Sequence, residues 1–321
     1  KKAGKKVGKK AGKASDAAPS ASTAAASVRI TNADRVIDSA SGNTKGALVD
    51  YYARVAPLML PHLKGRPVSL VRAPEGVGGE LFFQKHAQGR ELPHVTQLDE
   101  SLDPDHASLL QIDGAEALLS VAQMNTIELH TWNATSRAID RPDRFCLDLD
   151  PGEGLAWTRV REGAQLVHAL LDELGLVSFL KTSGGKGLHV VVPLRRHYDW
   201  DAVKGFSQAI VQHLVQRLAD RFVALRGPRN GVGKIFVDYL RNGFGATTAA
   251  AWSVRARPGM GVSVPLDWSE LPDLESGAQW TLANVDARRG VGNAPWEAMD
   301  KSRNGLAGPM RKLGYRVDAS T

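Results

Sequence analysis

A single cysteine, Cys146, stands in 321 residues, which excludes an internal disulfide and a cysteine-based zinc site. No stretch approaches the roughly 18 consecutive apolar residues that a membrane-spanning helix requires. A charged start followed by an apolar core is also missing, so no secretory signal is visible and a cytoplasmic protein is expected. There is no G-x-S-x-G nucleophile motif. The segment nearest to a phosphate-binding P-loop, GPRNGVGKI, has one residue too many and ends in Ile235, so it reads as a turn. The histidines are scattered, and His86, His94, His106 and His130 show no zinc-site spacing. The chain opens on Lys1 rather than Met, as expected for a piece of something longer.

Charge of one sign is present only locally. The formal net charge is +7, and seven lysines lie within residues 1–13. Without them 34 Lys+Arg face 34 Asp+Glu, so the rest of the chain is formally neutral. A nucleic-acid surface on the folded part must therefore come from the placement of charges, not from their sum. Residues 1–27, a KKxG repeat followed by an Ala/Ser/Pro stretch, cannot bury enough apolar surface to fold. They read as a solvated linker, as a polyanion-binding arm, or as both.

Order is expected from Val28. Leu48, Tyr51, Tyr52, Val55, Leu58 and Met59 recur at helical spacing over residues 45–60, with Thr44 as N-cap. RPVSLVR and ELFFQKH read as strands around the turn-rich APEGVGG, and a further strand and helix are expected between Ser108 and Leu129. RFCLDLDPGEG is a strand, and residues 156–174 a helix. VSFLKTSGGKGLHVVVPL is a strand, a glycine-rich turn and a second strand. Residues 201–224 read as one long amphipathic helix, KIFVDYL as a strand, and AAWSVRARPG as leading into the last strand. Helices and short strands alternate throughout, which indicates an α/β (α+β) class with one or two sheets.

The chemistry concentrates in a few stretches. In RFCLDLDPGEG, alternation turns Phe145, Leu147 and Leu149 to one face and Cys146, Asp148 and Asp150 to the other. Two carboxylates side by side raise each other's pKa unless something positive lies between them, and a divalent metal meets that need. Asp238, on KIFVDYL, is a third carboxylate at the end of an apolar strand. Three convergent carboxylates suit hard cations such as Mg²⁺ or Mn²⁺, although turn caps and surface ion pairs also produce D-x-D. In TSGGKGLH, Gly184, Gly185 and Gly187 free the backbone to approach a ligand, Ser183 and Lys186 offer a hydroxyl and a charge, and His189 opens an apolar strand. Arg241 follows the third aspartate, and alternation sets Arg255 and Arg257 on one face, where a triphosphate could bind. Phe82 and Phe83, adjacent in a strand, must face opposite sides, so that one fills the core while the other is free to stack on a base.

Taken in order, the D-x-D, the S-G-G-K-G-L-H and the lone strand Asp resemble the three motifs of the archaeo-eukaryotic primase superfamily. Within it, LDLDPGEG, KTSGGKGLHVVVPL, FVDYLRN and WSVRARPGMGVSVPL resemble the polymerase domain of bacterial ligase D, over about residues 28–315. The resemblance implies a primase-like core of central mixed or antiparallel β-sheets flanked by helices, with residues 1–27 a linker and 28–321 the domain. It implies template-directed addition of ribo- or deoxyribonucleotides to DNA ends during non-homologous end joining, with two Mn²⁺ or Mg²⁺ ions and nucleoside triphosphates as substrates. Asp148, Asp150 and Asp238 would ligate the metals. Ser183, Lys186, His189 and Arg255 would hold the triphosphate, with Arg241 added. Phe82, Phe83 and Arg72 would meet the template. Asn32, Arg35 and Lys45 would grip a downstream 5′-phosphate, Arg35 standing where the family pattern has Lys. Gapped DNA, ligase and nuclease modules in the same polypeptide and the bacterial Ku protein are the implied partners, in the cytoplasm at the nucleoid and with no membrane. A stand-alone primase, or a non-catalytic module that binds DNA ends, would share part of this pattern.

Overall fold

The computed structural model describes residues 27–89, 92–225, 227 and 231–317, so the expected linker lies outside them except for Ser27. In chain order the helices are α1 (Lys45–Leu63), α2 (Ala115–Gln123), α3 (Trp157–Leu174), α4 (Trp200–Arg217) and α5 (Ala307–Leu313). The strands are β1 (Val68–Arg72), β2 (Phe82–Gln84), β3 (Thr96–Gln97), β4 (Leu110–Gln111), β5 (Thr126–Thr131) and β6 (Arg144–Pro151). They continue as β7 (Phe179–Thr182), β8 (Leu188–Pro193), β9 (Phe222–Val223), β10 (Ile235–Asp238), β11 (Thr248–Ala249) and β12 (Pro265–Leu266).

Thr44 caps α1 as expected, its hydroxyl accepting from the Ala47 amide at 3.1 Å. The apolar stripe of α1 then buries Leu48, Tyr51, Tyr52, Val55 and Met59 in one core with Leu118 of α2 and Leu70 and Leu129 of a four-stranded antiparallel sheet ordered β11-β5-β1-β2. Both buried tyrosines satisfy their hydroxyls on backbone carbonyls, Tyr51 on Trp252 at 2.8 Å and Tyr52 on Ile127 at 2.5 Å. β3 and β4 form a separate two-stranded ribbon.

The second sheet has six strands in the order β12-β7-β8-β6-β10-β9, antiparallel except for the β9–β10 pair. One face is apolar: Phe145, Leu147, Leu149, Leu180, Leu188 and Val190 pack with Val160, Val167 and Leu171 of α3 and Val203, Phe206 and Ile210 of α4. The other face turns toward the first sheet, where the Lys181 ammonium donates to the Ala249 carbonyl of β11 at 2.9 Å. No helix among the described residues is long and apolar enough to cross a membrane.

Three expectations are corrected. The helix expected over 201–224 ends at Arg217, and Phe222 belongs to β9, paired in parallel with Ile235. Leu214 and Phe222 enter the same core, so apolar spacing continued past the helix end. The strand expected over KIFVDYL stops at Asp238, because Asp238 caps the Leu240 amide at 2.8 Å and starts a 3₁₀ turn. AAWSVRARPG is not a regular strand: only Val254 bridges, to Val262, and Trp252 and Met260 take left-handed φ of 70° and 49°. Arg255 and Arg257 therefore do not share a strand face. Arg255 turns inward, while Arg257 is exposed.

Asp143, just before β6, joins the two halves. Its carboxylate takes a bidentate pair from Arg66 at 2.7 and 2.9 Å, and Arg196 adds a contact at 3.2 Å. Burial alone would raise this acid; the Arg66 charge and hydrogen bonds, with Arg144 and Arg196, hold it down at about 2. Since the folded value lies below the ordinary carboxyl range, the stabilisation is complete above about pH 4 and is lost as the pH falls toward 2. Asp143→Ala should cost about 3–5 kcal/mol at pH 7, because Arg66 loses its partner. Urea melts at pH 7 and pH 3 check both, with a smaller difference between the two pH values expected for the variant.

Candidate active site

The register of β6 determines the site. Asp148 pairs with Asp238 of β10 on one side and with His189 of β8 on the other, and His189 in turn pairs with Lys181 of β7. Directly opposed residues project to one face, so Asp238, Asp148, His189 and Lys181 form a row across four strands. Asp150 extends it by one pleat, opposite Phe236. All stand on the face away from α3 and α4, as the alternation in RFCLDLDPGEG required.

Each member of the row is held. His189 Nε2 lies 3.4 Å from Asp148 Oδ1, and Lys181 Nζ lies 2.7 Å from His189 Nδ1. A protonated lysine can only donate, so Nδ1 accepts and the His189 proton sits on Nε2, facing Asp148. Lys181, 3% exposed, also donates to the Ser263 hydroxyl at 2.6 Å. Burial pushes the Lys181 ammonium down to about 7, and burial together with the Lys181 charge pushes His189 down to about 4. With His189 neutral at pH 7, it acts on Asp148 as an N–H donor. Burial would raise Asp148; the His189 contact and the Arg241 and Arg255 charges outweigh it and hold the acid at about 2. Asp238 accepts from the Leu240 amide and from Arg241 Nε at 3.1 Å.

Where β10 turns away after Asp238, Asn242 takes over as a pairing partner for β6. Its side chain accepts from the Cys146 amide at 2.8 Å and donates to the Cys146 carbonyl at 2.9 Å, as a neighbouring strand would. The β6 backbone two residues before Asp148 is thereby kept paired. Asn242 is fully buried.

The glycine-rich turn closes over the strand end. Ser183 Oγ accepts from the Gly185 and Gly187 amides at 3.0 and 3.1 Å, so the hydroxyl shapes the loop as well as facing it. Gly184 has φ +70°, and a Cβ there would lie 2.8 Å from Arg255 Cγ; at Gly187 it would lie 1.9 Å from the Leu149 carbonyl oxygen. Arg255 Nη1 donates to the Ser183 carbonyl at 2.7 Å, and its Nε lies 3.2 Å from Glu128 Oε2, a charge contact not aligned as a hydrogen bond. Glu128, buried on β5, also takes the Ala256 amide at 2.7 Å and His130 at 2.6 Å. Burial would raise Glu128, but the His130 hydrogen bond and the Arg255 charge bring it to about 2.

Asp150, Phe236, Lys186 and Arg257 line one cleft of about 260 Å³. Lys186 and Arg257 also border a second of about 500 Å³, formed with Gly184, Gly185 and Gly261. The structure thus gathers Asp148, Asp150, Asp238, Ser183, Lys186, His189, Arg241 and Arg255 around one strand end. The three aspartates stand wider than a single ion's shell. Among the described residues only His86, Asp103 and His106 offer ligand atoms all within 4.8 Å of one another.

The other expected residues form two separate groups. Asn32, in a left-handed φ of 54°, and Arg35 lie in the loop before α1, and Lys45 is the first residue of that helix. Arg35 gives its guanidinium to the Pro74 carbonyl and to Asn125 Oδ1, the latter at 2.6 Å. Lys45 is 4% exposed, and burial and the Arg35 charge both lower its pKa. Arg72, Phe82 and Phe83 sit on β1 and the edge strand β2. One phenylalanine was expected in the core, yet Phe82 and Phe83 are 50% and 46% exposed and Gln84 is buried instead. Lys85 Nζ lies 5.7 Å from the Phe83 ring centre, and Arg72 donates to Gln84 at 3.3 Å.

Sequence reading missed Lys181, Glu128 and Asn242 as parts of the site. The available signals were a lysine within the apolar VSFLKT and an acid within TIELHT, each polar on an otherwise buried strand. Asn242 gave none, since its role depends on where β10 ends.

A mixed α/β core with carboxylates on the central strands and a glycine-rich turn beside them is that of the primase-like polymerases. The family model described as the LigD primase-polymerase domain matches residues 44–296. The multifunctional non-homologous end joining protein LigD of Pseudomonas aeruginosa is 53% identical over 291 residues, 90% of this chain and 35% of that protein. The bifunctional non-homologous end joining protein LigD of Bacillus subtilis is 27% identical over 259 residues, 80% of this chain and 42% of that protein. The solved polymerase domain of Mycobacterium tuberculosis ligase D in complex with DNA matches with a TM-score of 0.76 at 31% identity, covering 86% of this chain and 99% of that one. The chain belongs to the LigD primase-polymerase domain family. It spans about a third of the length of the curated relatives from Pseudomonas aeruginosa and Mycolicibacterium smegmatis.

Arg255 and Glu128 give a test of the inner network. Arg255→Met leaves a buried carboxylate short of a cation and should cost about 3–5 kcal/mol. Adding Glu128→Gln removes the uncompensated charge, so the double variant should melt closer to wild type than Arg255→Met does. Denaturant melts of the single and double variants measure this.

Proposed function

We propose that this chain is a template-directed nucleotidyltransferase that extends the 3′ end of a primer at gapped or broken DNA, adding ribo- or deoxyribonucleotides in end joining. The observation that carries this reading is the cross-strand row, with Asp148 between Asp238 and His189 and Asp150 in the adjoining cleft. The donor set is all oxygen, which fits Mn²⁺ or Mg²⁺. Asp148 and Asp150 would be shared by two ions, and Asp238 would belong to the one nearer the primer. When bound, the ions supply charge compensation and polarise the phosphate and hydroxyl oxygens.

The chain's own residues do the rest. Lys186, with Arg257 beside it at the cleft mouth, meets the β- and γ-phosphates, and the Gly184–Gly187 turn lets the backbone come close to them. His189 presents Nε2–H toward Asp148 and the incoming triphosphate, its tautomer fixed by Lys181. Arg255 holds the Ser183 turn in place through the Ser183 carbonyl. Arg241, exposed and paired with Asp238, can exchange that contact for a phosphate. The 3′-hydroxyl then loses its proton to solvent, its oxygen bonds to the α-phosphorus, and the bond from that phosphorus to the α–β bridging oxygen breaks as pyrophosphate leaves. Phe82 and Phe83 are offered for stacking with template bases, worth about 1–3 kcal/mol per base. Lys45, buried without a carboxylate partner among the described residues, suits a 5′-phosphate. Arg35 contributes its charge there, while its guanidinium is engaged by Pro74 and Asn125. In a longer polypeptide, ligase and nuclease modules and the bacterial Ku protein are the fitting partners, in the cytoplasm at the nucleoid.

Extension of a labelled primer in gapped DNA, with Mn²⁺, tests the reading. Template-directed addition is expected, at least about tenfold better with a downstream 5′-phosphate, and Lys45→Ala should remove that advantage. Asp148→Ala and Asp238→Ala should fall to background while folding normally, a loss of at least about a thousandfold for a site whose rate rests on charge stabilisation. Synthesis without a primer would favour a stand-alone primase; DNA binding with no addition would leave only an end-binding module.

A further inference from the structure

His86, Asp103 and His106 converge although they are scattered in the sequence. His86 Nε2 lies 2.8 Å from Asp103 Oδ2, and His106 Nδ1 lies 3.0 Å from Asp103 Oδ1. The two rings stack at 4.7 Å with an 11° tilt, and one ligand atom from each residue lies within 4.8 Å of the other two. The scattered spacing read from the sequence is thus corrected: a turn returns His106 to Asp103, its amide bonded to the Asp103 carbonyl at 3.0 Å, and the neighbouring strands bring His86 to both.

The cluster has a defined place. His86 bridges to Leu109, and the Ala87 amide bonds to the Ser108 carbonyl at 2.8 Å, so the chain leaves at residue 87 and returns at 108 through a narrow neck. All three side chains lie at that neck. His86 follows β2 directly, and its carbonyl accepts from the Gln84 amide side chain at 3.1 Å, which ties the neck to the strand that carries Phe82 and Phe83. None of the three lines the aspartate cleft.

We propose that His86, Asp103 and His106 form a second metal site, for Zn²⁺, that fastens this neck beside the aromatic pair. Two imidazoles and one carboxylate are a donor set for zinc rather than for Mg²⁺, and three protein ligands leave a fourth position for water. In a tetrahedral shell with bonds of about 2.0–2.1 Å, neighbouring ligand atoms lie roughly 3.3 Å apart, so the two N···O contacts at 2.8 and 3.0 Å open slightly, and the exposed His106 ring turns out of the stack to aim its lone pair at the ion. On binding, the ion takes the lone pairs of His86 Nε2 and His106 Nδ1, and each ring carries its proton on the other nitrogen. His106 is 57% exposed on its side chain, so the ion has a direct route in from solvent. The ion fixes the segment at the border of the aromatic pair and, lying outside the aspartate cleft, takes no part in the chemistry there.

The test is a zinc titration of chelator-treated protein by calorimetry, comparing wild type with His106→Ala and Asp103→Asn, alongside hydrogen exchange of residues 92–108. His106→Ala removes an exposed side chain and should fold normally. Asp103→Asn keeps an acceptor for hydrogen bonding and lowers the charge. Wild type should bind one zinc ion more than His106→Ala, with at least about tenfold loss of affinity in Asp103→Asn, and zinc should slow exchange over 92–108 in wild type alone. Equal zinc binding by wild type and His106→Ala would overturn the proposal and leave the trio as a hydrogen-bonded clasp. A primer-extension failure with intact zinc binding would bear only on the proposed polymerase activity.

Discussion

The structure depends on the pairing register of β6. Side chains alternate along a strand, so a slip by one residue against β8 or β10 would turn Asp148 and Asp150 into the core and bring Leu147 and Leu149 out. The apolar face prevents that slip. Phe145, Leu147 and Leu149 are fully buried against α3 and α4, and exchanging them for carboxylates would strand charges in a medium that cannot solvate them. The same packing that stabilises the sheet therefore aims the acids. Asn242 reinforces the register where backbone pairing with β10 has ended.

A row of acids on a buried strand needs positive charge, and the chain distributes it by depth. Lys181 is deepest and acts through His189. Arg255 lies between the sheets, matched by Glu128 and by the Ser183 carbonyl. Lys186, Arg241 and Arg257 are at the surface, open to the polyanionic substrates of the proposed function. The inner cations are tied down by carbonyls and carboxylates, and the outer ones carry few internal contacts. This gradient separates residues that position the site from those available to a substrate. It also lets a folded part with formally balanced charge present a local basic rim, as the proposed function requires.

Much of this was legible in the sequence because it was local. Alternation in RFCLDLDPGEG assigned faces to six residues, the stripe from Leu48 to Met59 marked α1, and the glycines at 184 and 187 marked a close approach. Whatever depended on partners across the fold was not legible. Phe222 has the same apolar spacing whether it ends a helix or forms β9. Arg255 and Arg257 looked alike until the irregular backbone around Trp252 and Met260 turned one inward. Phe82 and Phe83 were both left outside because β2 is an edge strand, and no local pattern reports an edge. Lys181, Glu128 and the meeting of His86 with His106 arise from register and chain return, which spacing along the sequence does not encode.

The central claim is that the β6 row is built to hold divalent ions against a triphosphate. Electron paramagnetic resonance of Mn²⁺ in the presence of a non-hydrolysable nucleoside triphosphate tests it most directly, using His106→Ala protein so that only the aspartate cleft is counted. Two tightly held ions per chain are expected with the triphosphate present, and their loss in Asp148→Asn. Mn²⁺ binding that is unchanged by Asp148→Asn would contradict it.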